Sequence, residues 1–347
     1  MAESRLRRFL VTGGAGFIGS NFARMLLQGG AERVVVFDKI TYAGNPANLL
    51  DLADYPAYEF VQGDICDPTA VGKALDGCQA IVNFAAESHV DRSLLSASEF
   101  IQTNILGTTI LLEAAVRLGI ERFVQVSTDE VYGDVAQGYS REDDPLRPRS
   151  PYSASKASAE LMVNAYAETF GLDAIITRGS NTYGPYQFPE KLIPLMITNV
   201  FESRPLPVYG DGQQARDWLY VLDHCRGILV AMERGEPGQI YNIGGGNERR
   251  NLDVVMTLLD LMDGPPELIT HVEDRLGHDR RYALSTERLR ALGWRPETSF
   301  EQGLRETVDW YRANGNWWRP LKDGRFTTYY QQNYGARARL NLETPDA

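Results

Sequence analysis

Residues 9–19 read Phe-Leu-Val-Thr-Gly-Gly-Ala-Gly-Phe-Ile-Gly and place a glycine-rich turn between an apolar run and a helical pattern. Gly13, Gly16 and Gly19 let the backbone turn tightly, approach a pyrophosphate and pack the following helix against the strand. The start of that helix offers free N–H groups and a positive dipole end to phosphates. Because such glycines also occur in turns that bind nothing, the neighbouring sequence has to decide between the two interpretations.

An acidic residue lies where a dinucleotide site requires one. Asp38 ends the second predicted strand, at about the 20-residue separation expected of the acid that bonds the ribose 2′-hydroxyl. A carboxylate there repels a 2′-phosphate, which favours NAD over NADP. Gly63-Asp64-Ile65 follows a third predicted strand, and Asn83-Phe84-Ala85-Ala86 ends a fourth. Together these features predict an NAD site.

The first half of the chain alternates short strands with longer helices. Four runs of β-branched, aromatic or other apolar residues are typical of strands buried on both faces: 9–11, 34–37, 80–83 and 123–126. Helical patterns at 20–28 and 99–118 lie between them. This alternation predicts an α/β fold with a Rossmann-type, doubly wound parallel sheet.

After about residue 179 glycine and proline become frequent and the predicted elements become shorter. This change of texture indicates a smaller C-terminal substrate-binding lobe. We therefore expect an NAD-binding domain at 1–180, to which some later segments return, a substrate lobe at 181–330 and a polar tail at 331–347.

Composition limits the class of partner. The chain has 347 residues and a formal net charge of −11, which argues against nucleic acid or an anionic membrane as partner. A negatively charged small ligand stays possible, since local arginines and lysines can outweigh the average. No apolar stretch approaches the roughly 20 residues of a membrane span, and Cys66, Cys78 and Cys225 form no zinc-binding spacing. We expect a cytoplasmic protein without a metal.

Tyr152 and Lys156 are four residues apart in a helical pattern and therefore share a helix face. A tyrosine is a weak base, but a nearby ammonium group stabilises its phenolate and lowers its pKa. Such a pair can take a proton from a sugar hydroxyl while hydride leaves the same carbon. Thr128, at the end of the fifth predicted strand, can position that hydroxyl. A single Tyr-x-x-x-Lys pattern is usually a solvated helix face, but beside an NAD turn it predicts a hydride-transfer site.

Two further acids, Asp129 and Glu130, follow Thr128 directly. In isolation they would be loop acids. Beside a redox site they suggest an elimination, because oxidising a sugar hydroxyl to a ketone makes the neighbouring C–H acidic. One carboxylate can then remove that proton while the other, protonated, helps hydroxide to leave.

The chain resembles the extended short-chain dehydrogenase/reductase family and, within it, the dTDP-glucose 4,6-dehydratases. The matching segments run in order from about residue 10 to 320: TGGAGFIGS, DKITYAGN, FAAESHVDRS, VSTDEVYGD, SPYSASKAS, NTYGPYQFPEKLIP, LPVYGDGQQARDWLYV, YNIGG and GHDRRYA. The resemblance therefore covers most of the chain rather than one motif.

The resemblance implies a role for each catalytic candidate. Tyr152 would be the base for oxidation at C4, supported by Lys156 and Thr128. Glu130 would take the C5 proton and Asp129 would protonate the departing C6 hydroxyl. Hydride would then return to C6, giving a 4-keto-6-deoxy sugar for deoxysugar biosynthesis, and the cofactor would stay bound through turnover.

The resemblance also implies the binding residues. Arg216 and Arg275 would lie near the diphosphate, whereas His89 could equally be a structural histidine. The expected cofactor-binding residues are Gly13, Gly16, Phe17, Ile18, Gly19, Asp38, Lys39, Thr41, Asp64, Ile65, Ala85, Ala86, Ser88, Thr103, Tyr152, Lys156 and Thr182. The expected substrate-binding residues are Ser88, His89, Thr128, Asn181, Lys191, Leu192, Pro207, Tyr209, Arg216, Asn251, Arg275 and His278.

Other interpretations stay open. A nucleotide-sugar 4-epimerase would share the NAD site, Tyr152 and Lys156 but would not need Asp129 and Glu130. A non-catalytic NAD- or sugar-nucleotide-binding protein would need none of these side chains. Departures from the family pattern at Gly179, Thr182, Gly246 and Leu276 put the nucleotide, dTDP or UDP, in more doubt than the reaction. The family also implies a homodimer built from the helices near 99–118 and 152–170, although their apolar faces could equally be buried inside the monomer.

Overall fold

A seven-stranded parallel sheet forms the centre of the protein. The computed structural model describes residues 6–322, 324–335 and 337–340. The strands of this sheet are β1 (Arg8–Thr12), β2 (Arg33–Asp38), β3 (Tyr58–Gln62), β4 (Ala80–Asn83), β5 (Arg122–Thr128), β6 (Ala174–Gly179) and β10 (Ile240–Ile243), in the order β10-β6-β5-β4-β1-β2-β3. The order reverses between β1 and β4, and doubly wound sheets bind ligands at such a point. The predicted fold class is confirmed.

Five further strands form two small sheets. They are β7 (Asn181–Tyr183), β8 (Leu206–Tyr209), β9 (Ala215–Tyr220), β11 (Glu248–Arg250) and β12 (Ile269–Val272), which pair as β11-β9-β7 and β12-β8.

The α-helices are α1 (Phe17–Gln28), α2 (Pro68–Ala74), α3 (Val90–Leu95), α4 (Ser98–Phe100), α5 (Thr108–Leu118), α6 (Pro151–Phe170), α7 (Leu192–Phe201), α8 (Val221–Arg234), α9 (Asn251–Met262), α10 (Glu287–Ala291), α11 (Phe300–Ala313), α12 (Gly315–Trp318) and α13 (Gly324–Tyr330). Short 3₁₀ turns occupy Pro46–Leu52, Asp129–Tyr132, Pro266–Leu268 and Arg319–Lys322, and π-helical segments occupy Ile101–Gly107 and Gln331–Gly335. In the part of the chain that the structure describes, no helix combines the length and the apolar character of a membrane span.

Both faces of the main sheet are buried, which explains the unbroken apolar runs of its strands. Val34 and Val36 of β2 pack into a core with α1 and α8, whereas Val35 and Phe37 pack into the core on the opposite face with α5. Successive side chains of a strand point to opposite faces, so a strand between two cores is apolar at every position.

The second half of the chain builds a lobe with its own core. Tyr183, Trp218 and Trp318 pack there with side chains of α7, α9 and α11. Two later elements return to the first domain, because β10 pairs with β6 and α8 packs against α1. The lobe and the carboxyl edge of the main sheet enclose the cavity described next.

Candidate active site

A cavity of about 360 Å³ lies at the carboxyl ends of the main strands. Its walls contain the residues that follow β1 and β4 and the last residues of β2, β5 and β6. All five catalytic candidates and all seventeen expected cofactor-binding residues line it. The structure thus brings together the residues that sequence reasoning assigned to these two groups.

The turn between β1 and α1 is closed by backbone packing. Gly13 has a φ of +65°, and a Cβ at this position would lie 2.6 Å from the backbone nitrogen of Ala85. A Cβ on Gly19 would lie 2.4 Å from the carbonyl oxygen of Gly13. Gly16 precedes α1 and has no side chain to cap it. The first turn of α1 is therefore accessible to an anion at close range.

Asp38 is held at the end of β2 by two backbone hydrogen bonds. Its carboxylate accepts from the N–H of Ala15 at 3.0 Å and from the N–H of Ile40 at 2.8 Å. Burial raises the pKa of this carboxyl group, and the two N–H donors oppose that effect. The neighbouring Lys39 pairs with Asp64 at 2.7 Å. Asp38 is oriented as an acceptor for a ligand hydroxyl.

Several polar atoms of the cavity wall are buried and have no hydrogen-bond partner among the described residues. They are Ser127 Oγ, Asp129 Oδ2, Ser180 Oγ, Asn181 Oδ1, Gln187 Oε1, Trp218 Nε1 and His224 Nε2. Buried polar groups are rarely left unsatisfied in proteins. Together with the glycine turn and Asp38, they fit a large polar ligand such as a dinucleotide.

Tyr152 and Lys156 lie in the first two turns of α6, whose start is fixed by a capping box. Ser150 and Ser153 exchange side chain–backbone hydrogen bonds of 3.1 Å there. Burial and then the charge of Glu130 raise the pKa of Tyr152, and a hydrogen bond with Thr128 lowers it.

Lys156 is fully enclosed and donates to the carbonyl oxygen of Val126 at 2.7 Å. Burial lowers its pKa to about 8, and Glu160, one turn later, opposes that effect. The group that lowers the pKa of Tyr152 is Thr128, and Lys156 is not among the groups that shift it. The direct support of the phenolate by Lys156 therefore stays a prediction.

Asp129 and Glu130 begin a 3₁₀ turn after β5 but differ in surroundings. Thr128 Oγ1 donates to Asp129 Oδ1 at 3.2 Å and accepts from the N–H of Glu130 at 3.2 Å. Burial and the neighbouring Glu130 raise the pKa of Asp129 well above its usual value. Burial raises the pKa of Glu130 as well, but less than that of Asp129, because three cations oppose the effect: Arg275, Arg216 and Lys191. The arrangement favours a protonated Asp129 beside an ionised Glu130.

Of the twelve expected substrate-binding residues, five line the cavity: Ser88, Thr128, Asn181, Lys191 and Leu192. The other seven do not line the cavity and are termed the outer shell: His89, Pro207, Tyr209, Arg216, Asn251, Arg275 and His278. Lys191 donates to the carbonyl oxygen of Ser88 at 2.8 Å, which joins the two lobes beside the cavity.

Of the two arginines of this shell, Arg216 is buried and the Arg275 side chain is 12% exposed. Arg216 donates to the carbonyl oxygens of Ala215, Asp279 and Arg280 and stacks on Tyr282 with 4.3 Å from Cζ to the ring centre. No carboxylate of the described residues lies within 4 Å of its guanidinium, in contrast to Arg275, which pairs with Asp91 at 3.4 Å. A buried guanidinium without a carboxylate at ion-pair distance favours binding of an anion.

The remaining members of the shell are held by other side chains. His89 packs against Tyr329 with 5.4 Å between ring centres, and burial lowers the pKa of His89. Tyr209, two residues after Pro207 in β8, donates to Asp91 at 3.0 Å. His278 bonds Asp274 at 2.6 Å. Asn251 begins α9, and its Oδ1 has no partner among the described residues.

Sequence reasoning did not assign the C-terminal segment to the site. Asn333 donates to Asp91 at 3.1 Å, and Tyr334 stacks on Tyr209 with 5.4 Å between ring centres. The aromatic residues after 316 were the available signal. Residues 341–347 of the expected tail lie outside the described residues. Gln187, Trp218 and His224 were also missed, because only the folded chain brings them to the cavity.

Comparison with known proteins identifies the family. The family model described as GDP-mannose 4,6 dehydratase matches residues 10–307. The chain belongs to this 4,6-dehydratase family. It is 50% identical over 321 residues to dTDP-glucose 4,6-dehydratase of Streptomyces niveus, covering 91% of this chain and 96% of the relative. It is 47% identical to dTDP-glucose 4,6-dehydratase 1 of Escherichia coli, over 95% of this chain and 99% of the relative.

Solved structures of similar proteins include dehydratases and epimerases. DesIV, a dTDP-glucose 4,6-dehydratase from Streptomyces venezuelae solved with NAD and TYD bound, is 52% identical with a TM-score of 0.90, covering 91% of this chain and all of DesIV (100%). The UDP-glucose 4-epimerase of Thermus thermophilus, solved with NAD, is 34% identical with a TM-score of 0.83, covering 88% of this chain and 99% of the epimerase. The resemblance expected from the motifs is confirmed.

Proposed function

We propose that this 4,6-dehydratase family member converts dTDP-glucose into dTDP-4-keto-6-deoxyglucose with NAD as cofactor. The observation that carries the proposal is the pair Asp129 and Glu130, whose surroundings favour opposite protonation states beside Tyr152. Relatives about half identical over nearly the whole chain are dTDP-glucose 4,6-dehydratases, which supports the same substrate here.

The glycine turn and Asp38 would hold the cofactor. The turn accepts the pyrophosphate at the start of α1, and the Asp38 carboxylate accepts a ribose hydroxyl. NAD bound in this cavity would accept a hydride from C4 of the sugar and return it to C6.

Proton transfer at O4 is the task of Tyr152. The neighbouring Thr128 lowers the pKa of Tyr152 and so favours the phenolate, and the Lys156 ammonium adds positive charge on the same helix. Tyr152 takes the O4 proton during oxidation. It can give this proton back to O4 when removal of the C5 proton turns the 4-ketone into an enolate.

Elimination of water is the task of the two acids. Ionised Glu130, supported by three nearby cations, removes the proton from C5 and returns it to C5 after hydride has reached C6. Protonated Asp129 donates to the C6 hydroxyl, which leaves as water. A carboxyl kept neutral by burial and by a charged neighbour is suited to the acid role, and a charged one to the base role.

The substrate would lie between the two lobes, with its diphosphate toward Arg216 and Arg275. Arg216 has no carboxylate within 4 Å among the described residues, so a phosphate of the substrate would form the ion pair with its guanidinium. In this proposal the region 1–180 binds the cofactor and 181–330 binds the nucleotide sugar.

Epimerisation is the second candidate, because epimerases are among the similar structures. An epimerase returns hydride to C4 and removes no proton from C5. It would therefore have no use for Asp129 and Glu130 in opposite protonation states. A protein that only binds ligands would not need a buried Lys156 either, since burying a cation is costly.

We also propose a cytoplasmic homodimer. Of the fourteen large hydrophobic residues exposed in the described chain, eight lie on α3 to α6 or the π-helical segment between them: Leu94, Leu95, Ile101, Leu106, Val116, Leu118, Leu161 and Phe170. Such a concentration is typical of an interface. The three free cysteines fit a reducing compartment.

The test is mass spectrometry of the NAD-loaded protein mixed separately with dTDP-glucose and UDP-glucose, without added reductant. We expect dTDP-glucose to lose one water, and faster than UDP-glucose. Conversion of UDP-glucose into a galactose isomer without a mass change would instead establish an epimerase. The Tyr152→Phe variant should bind NAD normally and lose turnover, whereas unchanged turnover would overturn the mechanism.

A further inference from the structure

Arg92 joins three segments of the chain, two of which contribute residues to the cavity wall. Its guanidinium lies over the ring of Tyr42, with 3.9 Å from Cζ to the ring centre, and over the ring of Tyr329 at 4.4 Å. Its Nε and Nη2 donate to Glu190 Oε2 at 3.2 and 3.0 Å. These three partners lie in the loop after β2, in α13 and in the segment before α7.

Neither Tyr42 nor Arg92 lines the cavity, but their neighbours do. Thr41, Ala43 and Gly44 form one wall, and Phe188, Glu190 and Lys191 form another. Tyr42 also packs edge-on against Phe188 at 6.0 Å and hydrogen-bonds Glu87, a third wall residue. The Arg92 cluster therefore lies directly behind the cavity lining and connects the cofactor wall with the substrate wall.

Breaking the contacts of the Arg92 cluster would cost considerable free energy. The Glu190 side chain is only 2% exposed, so removing its cation would leave a buried carboxylate without its ion pair. The guanidinium is sandwiched between two aromatic faces, where a partly desolvated cation is bound well. Separating the two walls would break the ion pair and at least one of the stacking contacts at once.

We propose that Arg92 is a positioning residue that keeps NAD bound between turnovers by holding the loop after β2 against the segment before α7. We call this set of contacts the clasp. This inference rests on the proposed function, because a cofactor that is restored in each cycle has no need to leave. Arg92 acts through Tyr42 and Glu190 and touches neither ligand. The contact with Tyr329 makes the C-terminal helix α13 the third part of the clasp.

The experiment measures the dissociation rate of labelled NAD. The wild-type protein and its variants are loaded with radiolabelled NAD and chased with excess unlabelled NAD, and retained label is followed over time. Arg92→Gln should release NAD at least about tenfold faster, and Arg92→Lys should lie between the two, because lysine keeps the charge but not the planar stacking. Equal release from wild type and Arg92→Gln would overturn the proposal.

Arg24 provides the matched control. It also stacks on a tyrosine, Tyr186 at 4.5 Å, and also pairs with an acid, Asp51 at 2.6 Å, but it is not part of the cavity wall. Arg24→Gln should change NAD release less than about twofold. An effect as large as that of Arg92→Gln would mean that general loosening, and not the clasp, governs release.

Two further variants keep the test decisive if Arg92→Gln fails to fold. Tyr42→Leu and Tyr329→Leu should each speed release, and combining Tyr42→Leu with Arg92→Gln should add little to the larger single effect. If the fold-changes in release rate of the two single substitutions multiply in the double variant, the two residues do not act through a shared clasp. If the wild-type protein binds no NAD, the proposed function fails together with the clasp. If it retains NAD and no variant changes release, only the clasp fails.

Discussion

Asp129 and Glu130 are chain neighbours, yet their protonation is set by different groups. Asp129 is enclosed, has one oxygen without a partner among the described residues and lies beside another acid. Glu130 is equally deep but lies among Arg216, Arg275 and Lys191. The cations come from the second lobe, so the division of acid and base roles depends on residues more than 60 positions away in the chain.

Asp129→Asn tests the acid role. The amide has the shape of a protonated carboxyl but cannot donate an acidic proton, so we expect water loss to slow by about 10²- to 10⁴-fold. Because the side chain is neutral before and after the change, the free energy of unfolding should shift by less than about 1 kcal/mol. Mass spectrometry and thermal unfolding measure the two effects. Asp143→Asn, whose side chain is 85% exposed, is the control; water loss at the wild-type rate in Asp129→Asn would contradict the assignment.

Lys156 should make activity and stability respond to pH in opposite directions. Its pKa is lowered to about 8 by burial, so its positive charge is lost as pH rises through 8. If that charge supports Tyr152 as proposed, the rate should fall over the same range. In the unfolded chain the same lysine keeps its proton to about pH 10.4. Between these values the unfolded state binds more protons, so the contribution of Lys156 to the free energy of unfolding rises with pH. Rate profiles and unfolding of wild type and Lys156→Met check both, since the variant should lack the stability trend.

At the level of elements, the turn between β1 and α1 combines the decisive sequence motif with close backbone packing. Gly13→Ala would place a methyl group 2.6 Å from the Ala85 backbone nitrogen and require an alanine at φ +65°. We expect a loss of about 1–3 kcal/mol in the free energy of unfolding and at least about tenfold weaker NAD binding. Calorimetry of unfolding and of NAD binding would measure both.

Gly30→Ala is the control that distinguishes the effect of backbone strain from that of close packing. Its φ is +81°, but no atom lies within 4 Å of the position of an added Cβ. Gly30→Ala should therefore cost stability through backbone strain alone and leave NAD binding unchanged. If Gly13→Ala behaves in the same way as Gly30→Ala, close approach at this turn is not what the cofactor site requires.

The strands and the first helices were predictable because their patterns are local. The runs at 34–37 and 80–83 fall within β2 and β4, and the pattern at 99–118 falls on a helical stretch from 98 to 118. The π-helical segment Ile101–Gly107 within that stretch has no counterpart in the apolar spacing. Gly107 packs against Ile65 and Cys66 there, a contact between distant parts of the chain that a local pattern does not contain.

Some residues of the candidate site were likewise predictable from local sequence, and others were not. Glycine spacing, Asp38 and the pairs Tyr152–Lys156 and Asp129–Glu130 could be found from chemistry and short separations. Arg216 and Arg275 needed the resemblance, because one arginine in a loop does not differ from a surface charge by sequence alone. The contacts of Tyr329, Asn333 and Tyr334 could not be predicted, since each joins the C-terminus to residues more than 100 positions earlier.

For the whole molecule, the cavity exists only because two lobes meet. The first domain supplies the turn, the tyrosine and the acids, and the second supplies the cations that act on those acids. Arg92 and Lys191 then cross between the parts, through Glu190 and the Ser88 carbonyl oxygen. Substrate binding, proton transfer and cofactor retention would therefore all depend on how these parts are held together.

Association of two copies is the last property of the whole molecule that the surface predicts. Leu161 on α6 is 61% exposed, and Ile101 and Leu106 on the adjoining π-helical segment are 55% and 50% exposed. A face of this kind buried against its own copy can reach the roughly 1,200–2,000 Å² of a stable interface. Leu161→Glu would place a charge on each side of the two-fold axis and should convert a dimer into monomers in analytical ultracentrifugation. Leu276→Glu, at a residue 84% exposed but far from these helices in the chain, should leave the dimer intact. A wild-type protein that sediments as a monomer, or equal dissociation in both variants, would contradict an interface on this face.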